Sequence, residues 1–133
     1  MQRMFLTSLL VRDYDEAIAY FVSRLDFEVR IDKRLSDAKR WVVVAPEGAG
    51  QGCILLAKAS NARQEKQIGD QCGGRVFLFI DTDDLERDYA KYSSRGVRFI
   101  RAPHREDYGT VAVFEDLYGN WWDLIQHTGY FGI

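Results

Sequence analysis

Disulfides, metal clusters and membrane spans leave marks in a sequence that this one does not carry. Cysteine occurs twice in 133 residues, at Cys53 and Cys72, with no C-x-x-C pair and no metal-ligand spacing. Two isolated cysteines without a secretory leader are expected to be free thiols in a reducing compartment. No apolar run approaches the ~20 residues that a membrane helix needs. The opening MQRMFLTSLLV is followed at once by Arg12, Asp13 and Asp15 and lacks a small-residue cleavage site, so it is expected as a first strand. The expected location is the cytoplasm, by elimination. Excess charge is missing too: 18 Lys and Arg stand against 20 Asp and Glu, a formal net charge of −2. That balance draws the chain neither to nucleic acid nor to a membrane surface, and neither is expected as a partner. The motifs G-x-S-x-G and G-x-x-x-x-G-K-[ST] are absent, neither cysteine has a histidine near it in sequence, and Gly73-Gly74 is too short to cradle a phosphate.

What is present is an ordinary globular composition, 47% hydrophobic and 14% aromatic. A chain of this length buries roughly 65–70% of the surface its unfolded form exposes, enough for a core without staples. The order of elements repeats. MFLTSLLV (4–11) is a β-rich run ended by Asp13, a good helix N-cap, and Tyr14, Ile18, Phe21 and Leu25 then form one apolar helical stripe. FEVRI (27–31), RWVVVA (40–45) and GCILLA (52–57) follow as strands. RVFLFID (75–81) opens the second round, Asp84 precedes Leu85, Tyr89 and Tyr92 at helical spacing, and Gly96 is placed to end that helix. VRFIR (97–101), GTVAVFE (109–115) and NWWDLIQ (120–126) complete it. The caps and stripes of the two rounds are separated by a constant 71 positions.

The expected fold is therefore α+β: one domain over 1–133, with βαβββ modules at 4–59 and 75–127 and a polar linker at 60–74 holding a helical turn. Helices near 14–25 and 84–95 should lie outside mostly antiparallel sheets. VFLFI and the WW-L-I pattern are apolar on both faces, so each sheet should be covered on both. Two curved sheets enclosing a cavity would do this, and so would a solid core.

One residue disturbs the pattern. In FEDLYGNWWDLIQ (114–126), Asp123 sits inside an otherwise buried strand. It either lies at an exposed edge or faces a cavity. The repeat, together with V-R-D-Y-D-E-A-I-A-Y-F and Y-G-T-V-A-V-F-E-D-x-x-G-N-x-W-D-L-I-Q, resembles the vicinal oxygen chelate superfamily, which includes glyoxalase I, extradiol dioxygenases and bleomycin-resistance proteins. The resemblance runs from Phe5 to Gln126. It implies paired βαβββ modules, a concave site and a homodimer. The usual D-P-x-G-N turn appears as Asp116-Leu117-Tyr118-Gly119-Asn120, which loses a fixed φ but keeps the Gly-Asn pair. Asn120 is expected to serve that turn through left-handed backbone geometry.

In the family's metal enzymes, His or Glu ligands come from the first and last strands of each module. Carried over, the first-strand positions fall on Leu6 and Phe77, and Cys53 to Ala57 offers no carboxylate or imidazole. Asp123 alone remains, four residues after Gly119. A divalent ion in an enzyme normally takes about three protein ligands. His127 shares the parity of Asp123 but lies roughly 13 Å along the strand, and His104 is expected in a loop, RAPHREDYG. No metal cofactor is expected; the alternative is a divalent Zn, Ni, Fe or Mn with Asp123 as a weak ligand.

The concave face should then carry Leu6, Ser8 and Leu10 on the first strand, Phe77 and Phe79 on the fifth, and Trp121, Asp123 and Ile125 on the last. Of these, Leu6, Ser8, Phe77, Phe79, Trp121 and Asp123 are the expected ligand-binding residues, joined by Tyr108. An apolar, aromatic pocket with one acid suits a small cationic or hydrogen-bond-donating molecule. Asp123, if buried, is also the candidate general base. Arg98, Arg101, Arg105, Glu106 and Asp107 form either a solvated cluster or part of a lid, with Tyr108 dropping over the pocket and Gly109 allowing the bend. An RNA-binding sheet, faintly echoed by R-G-V-R-F-I, would need a basic face and leaves the repeat unexplained. Two functions compete: a metal-independent protein that sequesters a small molecule, and a metal-dependent lyase or dioxygenase.

Overall fold

The computed structural model describes residues 1–48, 50 and 52–129. The chain forms two compact units, Met1–Ile68 and Gly69–Ile133, so the division falls inside the polar 60–74 segment. Each unit is a βαβββ module.

In the first, β1 (Leu6–Val11) leads into α1 (Tyr14–Leu25), followed by β2 (Phe27–Arg34), β3 (Arg40–Pro46), β4 (Cys53–Lys58) and the short α2 (Ala62–Gln67). The sheet order is β1-β4-β3-β2. β1 and β4 run parallel, with Leu6 opposite Cys53 and Val11 opposite Lys58. The other pairs are antiparallel. Asp13 starts α1 because its extended backbone lets the carboxylate accept the Glu16 N–H at 2.8 Å. Asp26 ends it in the left-handed conformation, φ 59°, returning its N–H to the Phe21 carbonyl. Ala17, Phe21 and Leu25 on α1 and Leu9, Val11, Val42, Val44, Ile54 and Leu56 on the sheet are all buried. Each large apolar side chain so covered contributes roughly 1.5–3 kcal/mol.

The second unit repeats the plan with β5 (Val76–Asp81), α3 (Leu85–Ser94), β6 (Arg98–Glu106), β7 (Gly109–Glu115) and β8 (Trp121–His127), in the order β5-β8-β7-β6. Asp84 caps α3 by accepting the Arg87 N–H at 3.0 Å, the counterpart of Asp13. Tyr92, Phe99, Phe114 and Trp122 form its aromatic core; Phe114 stacks on Trp122 at 5.7 Å and takes Tyr92 edge-on at 5.8 Å.

Several expectations are corrected. The segment RAPHREDYG is not a loop: β6 continues to Glu106, and His104 lies on it opposite Val111. The charges and Pro103 hide the strand in the sequence, but β6 ends the sheet order, and an edge strand tolerates a missing N–H. β5 is likewise an edge strand, and its apolar run is half-buried or exposed, not covered on both faces. Asn120 is not left-handed: Gly119 takes the positive φ, 103°, and Asn120 works through its side chain. Its Nδ2 donates to Asp116 at 3.3 Å, and its Oδ1 accepts the Gln71 N–H at 3.5 Å.

Candidate functional site

The second module holds a cleft of about 350 Å³ on the face of its sheet away from α3. Its floor is Val111 and Val113 of β7, with Trp121 and Asp123 of β8 beside them. Alternation puts them there: Trp122 and Leu124 point into the core, so Trp121 and Asp123 face the other way. Val113 and Asp123 are register partners. One wall comes from β6, where register shifts between Phe99 and Arg101 and between Arg101 and His104 bring Ile100, Arg101, His104 and Glu106 to the cleft. The volume is at the small end of sites that enclose organic ligands, ~300–1,000 Å³.

Asp123 is half-buried. Burial pushes its pKa up, and the charges of His104 and Arg101 pull it part of the way back. Among the described residues it has no hydrogen-bonded or ion-paired partner, and neither has Arg101. His104 is held differently, with Nε2 3.1 Å from Glu106 Oε1 and Nδ1 3.2 Å from the Ala102 carbonyl. Tyr108 closes one end, its phenol pKa raised by burial and by the Glu106 and Asp123 carboxylates.

The expected site residues fall in different places. Tyr108, Trp121 and Asp123 line this cleft together. Phe79 is the register partner of Asp123, beside it on the same face, and 63% exposed. Phe77 does not line the cleft: a register shift between Val76 and Leu78 sets Val76 opposite Trp121, and Val76 takes the place expected for Phe77. Ile125 shares the parity but is buried. Ser8 and Leu10 line a cleft of the first module, and Leu6 lines neither. Tyr108 is no swinging lid, for it sits in a tight turn between β6 and β7 and its carbonyl accepts the Thr128 N–H at 3.0 Å. Gly109 leads out of that turn at φ 149°, and a Cβ there would lie 2.2 Å from the Gln126 carbonyl oxygen. The charged cluster divides, with Arg98 paired to Glu115 at 3.0 Å while Arg101 and Glu106 turn to the cleft.

The profile of the Glyoxalase/Bleomycin resistance protein/Dioxygenase superfamily matches residues 3–124. The chain belongs to this superfamily. An uncharacterized protein of Shewanella frigidimarina is 53% identical over 120 residues, covering 90% of this chain and 89% of the relative. Among solved structures, UcmS2 is similar with a TM-score of 0.81 and 26% identity, covering 94% of this chain and 98% of its own. TnmS3, an antibiotic binding protein from Streptomyces sp. CB03234, is similar with a TM-score of 0.79 and 27% identity, covering 96% and 98%.

The metal that glyoxalases and dioxygenases of this superfamily use does not fit these residues. Leu6 pairs with Cys53 and Val76 with Trp121 where ligands would be expected, leaving Asp123 as the only acid among those positions. The imidazole in its cleft is already set against Glu106. No group of three or more His, Cys, Asp or Glu among the described residues is placed to hold a metal ion. The cleft instead offers the Asp123 carboxylate and the Arg101 guanidinium, neither ion-paired among the described residues, over a floor of Val111 and Val113.

Sequence reading passed over Val111, Val113, Ile100 and the His104–Glu106 pair. The alternation in GTVAVFE carried the signal for the valines. The double register shift that turns β6 inward had none.

Proposed function

We propose that this superfamily member binds and sequesters a small amphipathic molecule bearing a cationic or hydrogen-bond-donating group, in the cleft of its second module. Asp123 is the polar anchor, Trp121 and Tyr108 are the aromatic contacts, and Phe79 extends the apolar surface. One observation carries the reading: a half-buried carboxylate stands without a hydrogen-bonded or ion-paired partner among the described residues, in a cleft floored by Val111 and Val113. Burying a carboxylate without a hydrogen-bonded partner is costly, and a ligand that donates a hydrogen bond or carries positive charge would offset that cost beside the charges of His104 and Arg101. The similarity to TnmS3, described as an antibiotic binding protein, supports a binding role.

We place the protein in the cytoplasm as a homodimer, with neither nucleic acid nor membrane as partner. The two free cysteines, Cys53 and Cys72, suit a reducing compartment. No helix among the described residues is long and apolar enough to cross a membrane. Val29 and Ile31 on β2 of the first module, and Phe79 on β5 of the second, are exposed apolar side chains of the kind that a second copy would cover.

The test is a thermal-shift and calorimetric titration with tryptamine, beside its neutral N-acetyl derivative, together with metal analysis of the purified protein. A ligand at 100 times its Kd stabilises the native state by about 2.7 kcal/mol. Tryptamine should stabilise, N-acetyltryptamine should bind more weakly, and Asp123→Asn should remove the difference. Metal co-purifying near one per chain and lost in Asp123→Ala would replace this reading with the enzyme one.

A further inference from the structure

The first module has a cleft of its own, of about 400 Å³, whose chemistry is the reverse of the second's. Leu10, Leu55 and Ala57 form its floor and Trp41 stands at its side. The position that carries Asp123 in the second module carries Leu55 in the first, since Ser8 pairs with Leu55 as Phe79 pairs with Asp123. None of the residues lining it is acidic, whereas Lys39, Arg40 and Lys58 all do so. Arg40 is already committed. It binds Asp32 through two nitrogens, at 3.1 and 2.7 Å, and Asp15 through a third at 2.8 Å. Its charge is cancelled from outside the cleft, which holds its chain over Tyr14 and leaves the net charge to the lysines. Both are exposed, and neither is ion-paired among the described residues.

Two neutral groups add donors. The side-chain carbonyl of half-buried Gln64 accepts both the N–H of Ser60, at 2.7 Å, and its hydroxyl, at 3.0 Å. A backbone N–H can only donate, so the amide orientation is fixed and the NH₂ end keeps its two hydrogens for another acceptor. The hydroxyl of Tyr14, a residue only 7% exposed, accepts the Arg40 N–H at 3.2 Å and so also keeps its hydrogen. Ammonium, amide and phenol donors thus surround an apolar floor with no carboxylate to answer them.

We infer that the first module binds a small organic anion, a flat apolar ring carrying a carboxylate. The ring lies on Leu10, Leu55 and Ala57 against Trp41, and the carboxylate takes hydrogen bonds from Lys39, Lys58 and Gln64. The chain's net charge of −2 argues against an extended polyanion, for which a wider basic surface would be needed. This inference goes beyond the proposed function, and neither depends on the other.

The experiment is calorimetry of the full chain with 1-naphthoate and with 1-naphthamide, the same ring without the charge, accompanied by methyl NMR of Ala57 and Leu55. Naphthoate should bind about tenfold or more tightly than the amide, shifting the Ala57 and Leu55 methyls. Lys39→Gln with Lys58→Gln should remove that preference while leaving the melting temperature unchanged, since both side chains are exposed. Asp123→Asn should leave naphthoate affinity within about twofold of the parent, because its carboxylate belongs to the other cleft. Equal binding of the two compounds, no binding of naphthoate, insensitivity to the lysine pair, or loss on Asp123→Asn would each overturn the inference. Failure of tryptamine to bind would leave it untouched.

Discussion

Asp123 works against the stability of its own module. Its folded pKa is raised by burial, so the folded state prefers the protonated acid. The associated stability is full below the unfolded pKa and is lost as the pH rises through the folded value. Asp123→Asn, neutral at every pH, should therefore raise the melting temperature near pH 7, with the gain vanishing in acid; a pH series of thermal melts checks this. The same sign governs binding. A cation needs the carboxylate ionised, so tryptamine affinity should fall, as pH is lowered, at a higher pH than for an ordinary exposed aspartate. Asp123→Asn should abolish that dependence. At Gly109 the constraint is steric: with φ 149° and the Gln126 carbonyl 2.2 Å from any Cβ, Gly109→Ala must strain both strands. A loss of about 2–4 kcal/mol in urea denaturation is expected, and no selective loss of binding. At this scale the sequence was legible where one residue type contradicted its neighbours, as a carboxylate does in an apolar strand. It was not legible at Gly109, where the cause is a backbone atom seventeen positions away in the chain.

Helix α3 depends on a buried acid that the periodic pattern does not reveal. Asp88 accepts the hydroxyl of Thr82 and the guanidinium of Arg87 at 3.0 Å, with Lys91 at 3.8 Å. Burial alone would raise its pKa, but these partners win and lower it. A lowered folded value makes the contribution present above the unfolded pKa and lost as pH falls through the folded one. Asp88→Asn should destabilise by about 1–3 kcal/mol at pH 7 and flatten the acid limb of the stability profile, read by chemical denaturation across pH. By comparison Asp84→Ala removes a helix cap and should cost about 1 kcal/mol at pH 7. Both helices could be read because Asp13 and Asp84 are caps followed by clean apolar stripes. β6 could not, because Pro103 and its charges carry the composition of a loop. Only the edge position of the strand makes that composition acceptable.

The two modules share a plan and differ in the chemistry of their clefts. The constant spacing of 71 exposed the plan, since caps and core residues must recur wherever the same helix packs on the same sheet. The contrast between Leu55 and Asp123 became visible only through strand register, which periodicity does not supply. The homodimer proposed above predicts sedimentation at micromolar concentration with twice the 15.4 kDa chain mass, and a monomer mass would overturn it. Phe79→Lys should lower that mass if the exposed ring is part of the contact. The parallel pairing inside each module also bears on how the chain is made. β1 is hydrogen-bonded to β4, and β5 to β8, so the first strand of each sheet waits for the last to be synthesised. A ribosome adds ~5–20 residues per second, which gives the first module a head start of roughly 4–14 s over the second. In the later part of that interval β5 has been made and β8 has not, so the apolar VFLFI is left without its pairing strand.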